Sequence, residues 1–185
     1  MESCASFVYA DASMGLADVK IVSGGQTGAD RAALDWAIDH SIPHGGWCPK
    51  GRKAEGGPID QRYQLKETPS EDYALRTEWN VRDSDGTVVF SIAAVLTGGS
   101  KETVELAQQH QKPVLHLSQQ GGPASPERAL LAFIREHRVQ GLNVAGARTS
   151  KEPEVGAFAT AVLDKTWDAA GEASSTMRPA LETDQ

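Results

Sequence analysis

Three glycine-punctuated segments hold the side chains and backbone best suited to chemistry. The first, Ser23-Gly24-Gly25-Gln26-Thr27-Gly28-Ala29-Asp30, follows a short β-branched run and opens a helical stripe. Glycines let backbone N–H groups approach a ligand without Cβ clashes, and the helix N-terminus that follows favours negative charge. The spacing is neither G-x-G-x-x-G nor the phosphate loop that ends in Gly-Lys-Ser/Thr. Anion binding and a bare tight turn both stay open, and Asp30 equally suits an acid complementing a helix dipole. Thr97-Gly98-Gly99-Ser100, with Thr103 one turn on, repeats the arrangement. Two such turns on neighbouring strands would set two helix N-termini around one cleft, suited to a diphosphate or another oxyanion. In the third, Gly146-Ala147-Arg148-Thr149-Ser150, Arg148 is either a bidentate fork for phosphate or an ordinary surface arginine.

Other polar segments are less directive. Gly46 to Lys53 gathers Lys50, Arg52 and Lys53 around Cys48 in an acidic chain. Nearby cations lower a thiol pKa, but the segment has no histidine beyond His44 to act as a base. Arg76 to Asn80 and Asp83 to Gly86 form a polar run that enters a strand, with Asp85 placed to cap a turn. His40, His44, His110, His116 and His137 show no metal-ligand spacing, and His116 reads as a hydrogen-bonded core residue. A GxSxG elbow is absent.

The elements that must position these groups alternate regularly. Val19 to Ser23, Thr87 to Ile92, Pro113 to Leu117 and Leu142 to Gly146 read as strands. Ala29 to His40, Tyr73 to Trp79, Lys101 to Gln109, Ser125 to about His137 and Pro153 to about Ala169 read as helices. His44 to Pro58, rich in glycine and proline, reads mostly as loop. Strands alternating with helices through Gly turns predict a parallel sheet with helices on both faces, and a ligand at the carboxyl ends of the strands.

With 185 residues, the chain suits one domain, expected over 18–170, between a flexible lead-in (1–17) and a flexible tail (171–185). A net charge of -7 repels phosphate backbones and argues against a general nucleic-acid binder. No apolar run approaches the roughly 18 residues that a membrane span needs. The first residues lack the basic start of a signal peptide, and two cysteines form no disulfide framework, so the expected compartment is the cytoplasm.

Five segments in order, SGGQTGADRAALDWA (23–37), GGWCPKGRKAEGGPI (45–59), LRTEWNVRDSDGTVV (75–89), TGGSKETVELA (97–107) and LNVAGARTS (142–150), resemble the putative molybdenum-carrier family, related to YpsA-like proteins. The resemblance implies an α/β fold, a Rossmann-like three-layer sandwich whose mainly parallel sheet is flanked by helices. It points to ligand contacts at Gly24, Gly25, Gln26, Thr27, Gly28, Asp30, Lys50, Arg52, Arg76, Asn80, Gly98, Gly99, Ser100 and Thr103. With Arg148 these make the candidate site. The implied ligand is small and phosphorylated: molybdenum cofactor (molybdopterin) or a related pterin or nucleotide, held by a carrier or sensor. The cofactor's own dithiolene would hold molybdenum, with no protein ligand to the metal, and a homo-oligomer (dimer or tetramer) is the expected assembly.

The related phosphoribohydrolases carry PGGxGTxxE. Here Gly98, Gly99 and Glu105 match it, whereas Lys101 and Glu102 replace its Gly-Thr pair, and a negative Glu102 opposes phosphate. The alternative activity is nucleotide N-glycoside hydrolysis, with Glu105 or Asp30 as acid or base.

Overall fold

The computed structural model describes residues 16–176. After a 3-10 turn, Leu16–Asp18, the order is β1 (Lys20–Val22), α1 (Ala29–Asp39), β2 (His44–Cys48), a second 3-10 turn (Lys50–Arg52) and β3 (Leu65–Glu67). Then follow α2 (Tyr73–Arg82), β4 (Gly86–Ser91), α3 (Gly98–Gln109), β5 (Val114–Ser118), α4 (Pro126–Glu136), β6 (Gly141–Gly146) and α5 (Val155–Thr176). Residues 1–15 of the expected lead-in, and 177–185 of the expected tail, lie outside the described residues. Helix α5 continues past Ala169, through Gly171 and on to Thr176.

The six strands form one all-parallel sheet in the order β3-β2-β1-β6-β4-β5. Helices cover both faces, as the alternation of strand and helix predicts: α1, α4 and α5 pack together on one side, and α2 and α3 on the other. The larger core lies under the first group. Ile21, Val88, Phe90, Leu117, Leu142 and Val144 from the strands meet Ala33, Trp36, Leu130, Ile134, Ala159 and Leu163 from the helices. Period-2 alternation turns the intervening strand residues the other way. There Asn143 Nδ2 donates to Thr87 Oγ1 at 3.2 Å, both side chains buried.

Last in sequence, β6 is central in space. Counted as though the chain began at β6, the sheet runs 4-3-2-1-5-6, the common doubly wound 3-2-1-4-5 order with β3 added as an edge. This corrects one expectation: β1 and β4, which carry the first two Gly turns, are separated by β6 rather than adjacent. All three Gly turns therefore sit on consecutive strands, β1, β6 and β4.

A second correction concerns His44 to Pro58, which contains a full strand. Asn80 from α2 supplies the missing stabilisation: Trp47 N–H donates to Asn80 Oδ1 at 2.8 Å, and Asn80 Nδ2 donates to the Trp47 carbonyl at 2.9 Å. Strand β3 was also outside the predicted elements, because Leu65-Lys66-Glu67 has no β-branched residue and pairs only through β2. Finally, Gly98 and Gly99 belong to the first turn of α3 rather than to a loop before it.

Candidate functional site

Beyond the carboxyl ends of β1, β6 and β4 lies a pocket of about 620 Å³. Its walls come from the Gly turn before α1, one face of α2, the segment leaving β4 up to Thr97, the start of α3 and the end of β6 with the residues up to Glu152. On α2 the contributing residues are Tyr73, Arg76 and Thr77, whose 3–4 spacing puts them on one helical face. Asp72 starts this helix by accepting Ala74 N–H at 2.9 Å.

The floor is built around a buried ion pair. Arg76 Nη1 lies 3.0 Å from Asp30 Oδ2, and Arg76 and Asp30 are 8% and 3% exposed. Gly24 makes the approach possible, since a Cβ there would overlap the Arg76 guanidinium. Burial pushes the Asp30 carboxyl above its ordinary value, opposed by Arg76 and by the backbone N–H groups of Gln26 and Gly24. Gln26, 4% exposed, accepts Thr27 N–H at 3.0 Å and Glu55 N–H at 2.8 Å through Oε1. Among the described residues, its Nε2 and the Nε of Arg76 are buried donors with no partner. Unsatisfied buried donors are costly, and here two of them belong to residues that line one pocket.

The α3 side adds further donors. The first helical N–H groups have no intrahelical acceptor, and the N-cap Thr97 makes no side-chain capping bond. Space beside Gly98 and Gly99 is open, as none of the described residues lies within 4 Å of where a Cβ would stand. Thr103 Oγ1 donates to the Gly99 carbonyl at 2.8 Å, which ties down that first turn.

Four carboxylates also line the pocket, three of them engaged by protein donors. Asp30 is held as described. Glu152 accepts Ile92 N–H at 2.6 Å and Ala93 N–H at 3.2 Å, which fixes the segment leaving β4. Glu55 accepts Ser150 Oγ at 2.7 Å and Thr27 Oγ1 at 3.3 Å. The Ser150 bond, foremost, holds the Glu55 carboxyl below its ordinary value. Glu102, the fourth, is exposed. Among the described residues no group of three or more His, Cys, Asp and Glu is arranged to hold a metal ion.

Of the residues singled out from sequence, Gln26, Asp30, Arg76, Gly98, Gly99, Ser100, Thr103 and Arg148 line this pocket. Gly24, Gly25, Thr27, Gly28, Lys50, Arg52 and Asn80 are outside its lining. Arg52 is buried and donates to four carbonyls: Ile59 (2.8 Å), Leu65 (3.2 Å), Asp60 (2.6 Å) and Tyr63 (3.0 Å). It organises the loop between β2 and β3. Glu105 also falls outside the lining, exposed and 3.5 Å from Lys101. Tyr73, Glu55, Lys151 and Glu152 line the pocket without having been marked in the sequence. Tyr73 had a readable signal, its i,i+3 relation to Arg76. Glu55 and Glu152 had none, since both stand in irregular segments. Cys48 is fully buried against Leu34, Ile59 and Tyr63, and burial pushes its thiol pKa up, the opposite of activation. His116 Nε2 is 2.8 Å from Ser91 Oγ, a hydrogen-bonded residue of the sheet.

Comparison with known proteins fits this architecture. A "Putative molybdenum carrier protein" of Syntrophus aciditrophicus SB, known from a crystal structure, is 49% identical, with a TM-score of 0.77 over 81% of this chain and 95% of that one. No curated protein matches. Among the described residues no helix is long and apolar enough to cross a membrane. The sequence matches the Circularly permutated YpsA SLOG family over residues 21–167. A permuted chain order is what puts a last strand in the middle of a doubly wound sheet, and this chain belongs to that family.

Proposed function

We propose that this protein is a carrier or sensor that holds a small phosphorylated ligand, molybdenum cofactor or a related pterin or nucleotide, in the pocket above β1, β6 and β4. The observation that carries this reading is the pair of unpartnered buried donors, Gln26 Nε2 and Arg76 Nε, in a pocket walled by the uncapped start of α3. Together they ask for an acceptor-rich, anionic group. The relative's description as a molybdenum carrier supports the carrier role.

The residues present fit such a group. Gln26, Arg76 and the N–H groups of Gly98, Gly99 and Ser100 would hold the phosphate, and open space at the two glycines leaves the backbone accessible. When bound, molybdenum cofactor supplies its own dithiolene to molybdenum, so the protein needs to provide only binding and shielding.

Nucleotide N-glycoside hydrolysis has one observation in its favour: Asp30 is a buried carboxyl shifted toward protonation inside the pocket. The position of Glu105 outside the lining removes its other acid-base candidate. The test is to denature protein purified without added ligand and to identify released small molecules by mass spectrometry, with metal analysis alongside. A phosphorylated pterin or nucleotide supports the proposal, and stoichiometric molybdenum with a pterin names the cofactor. Absence of any released ligand, with no thermal stabilisation by phosphorylated pterins or nucleotides, refutes it. Release of free base from nucleoside monophosphates would move the assignment to the enzyme.

A further inference from the structure

Resting on that binding reading, we propose that Arg148, backed by the Tyr73 ring, is the stacking platform for the planar ring of the ligand. The phosphorylated end then lies beside it, at the buried Gln26 and Arg76 and the start of α3. This role differs from both that the sequence leaves open for Arg148, a fork for phosphate and an ordinary surface arginine.

Size is the first argument. About 620 Å³ matches sites that enclose a whole small molecule, several hundred Å³, and far exceeds the need of one oxyanion. The two ends also differ in what they ask for. Gln26 and Arg76 offer buried, unpartnered donors. Arg148 is only half-buried, with its guanidinium carbon 4.8 Å from the centroid of the Tyr73 ring. Its side chain makes no hydrogen bond and no ion pair among the described residues. A guanidinium resting on one aromatic ring through its face accepts a second planar group on the other, because it is flat, delocalised and weakly hydrated.

Glu55 lines the pocket within electrostatic reach of Arg148, and its hydrogen bonds from Ser150 and Thr27 favour the ionised form. A phosphate placed at Arg148 would meet that carboxylate, whereas a neutral heterocycle would not. At the start of α3 the free N–H groups and helix dipole favour an anion against the exposed Glu102, and the Asp30 carboxyl beside them is already paired with Arg76.

The test compares two probes. GMP carries the 2-amino-4-oxopyrimidine edge shared by guanine and pterins, and ribose 5-phosphate has the same phosphate end without a base. GMP affinity is measured calorimetrically, and ribose 5-phosphate affinity by displacement of GMP. Arg148→Lys keeps the charge but loses the plane, and should weaken GMP roughly five- to tenfold while leaving ribose 5-phosphate within about twofold. Tyr73→Ala should act in the same sense, with Tyr73→Phe close to wild type, and unchanged thermal unfolding shows that the variants are folded. Equal weakening of both probes in Arg148→Lys would place Arg148 on the phosphate and overturn the inference alone, as would undiminished GMP binding. Failure of wild-type protein to bind GMP would overturn this inference, whereas the proposed function falls separately, when denaturation releases no ligand and no phosphorylated pterin or nucleotide stabilises the fold.

Discussion

Replacing Arg76 with methionine isolates the charge on Asp30. Methionine keeps much of the aliphatic stem and removes the guanidinium that stands 3.0 Å from Asp30 Oδ2. Unit charges about 4 Å apart at an effective dielectric near 20 interact by about 4 kcal/mol. Removing one member of a buried pair costs about 3–5 kcal/mol, in agreement. Asp30 has one escape, which is to take up a proton. From an unfolded pKa of about 3.9, neutralisation at pH 7 costs about 4 kcal/mol. Both routes therefore give Arg76→Met a loss of about 3–4 kcal/mol near neutral pH.

The pH dependence distinguishes this cause from simple loss of packing. Burial already raises the Asp30 carboxyl, and loss of Arg76 removes the main opposing influence. A native-state pKa above the unfolded value means that the folded protein binds the extra proton. Its contribution is then fully present below the unfolded pKa, and is lost as pH rises through the folded pKa. In Arg76→Met that window extends upward, with a slope of about 1.4 kcal/mol per pH unit. The deficit relative to wild type should grow as pH rises above the ordinary carboxylate range, and adding Asp30→Asn should abolish the growth. Urea denaturation followed by tryptophan fluorescence measures it. A deficit independent of pH, or a double variant no more stable than Arg76→Met at the alkaline end, would refute the reasoning.

Three further outcomes follow from the structure. Gly28 has φ of 90° and faces the Ala147 carbonyl, with Thr149 N 3.0 Å from where a Cβ would stand, so Gly28→Ala should cost at least about 2 kcal/mol. By contrast, Gly99→Ala meets open space within a helix and should be neutral or stabilising by up to about 1 kcal/mol, while its methyl weakens GMP binding; thermal unfolding and calorimetry read the two effects. Cys48 should resist iodoacetamide in the native protein near pH 8 and react once urea unfolds it, since its side chain is buried and burial raises its pKa. Fast native labelling of the Cys48 peptide, read by mass spectrometry, would contradict that.

Sequence by itself was sufficient for the elements whose signal is local. Val19 to Ser23 and Thr87 to Ile92 are β-branched runs between glycine turns, and both are strands within a residue or two of their predicted limits. Apolar spacing located α1, and a proline after a serine cap located the start of α4, because those signals are read within one turn. Alternation of the two element types then implied the parallel, two-sided sheet.

Tertiary structure decided the rest, because it depends on which distant groups meet. His44 to Cys48 has the composition of a loop and becomes a strand because Asn80, far along the chain, satisfies both backbone groups of Trp47. The basic residues of the following loop read alike in sequence, yet Arg52 turns inward to bind four carbonyls while Lys50 stays exposed. Glycine turns after β1, β4 and β6 announced backbone suited to anions, but not that β6 would lie between the other two strands and bring all three turns to one pocket. Pairing of Asp30 with Arg76 across 46 positions, the Gly24 that makes room for it, and the parking of Arg148 on Tyr73 are likewise consequences of packing. Local sequence encodes which residues can donate, accept or stack; only the folded chain determines which are already satisfied and which are left for a ligand.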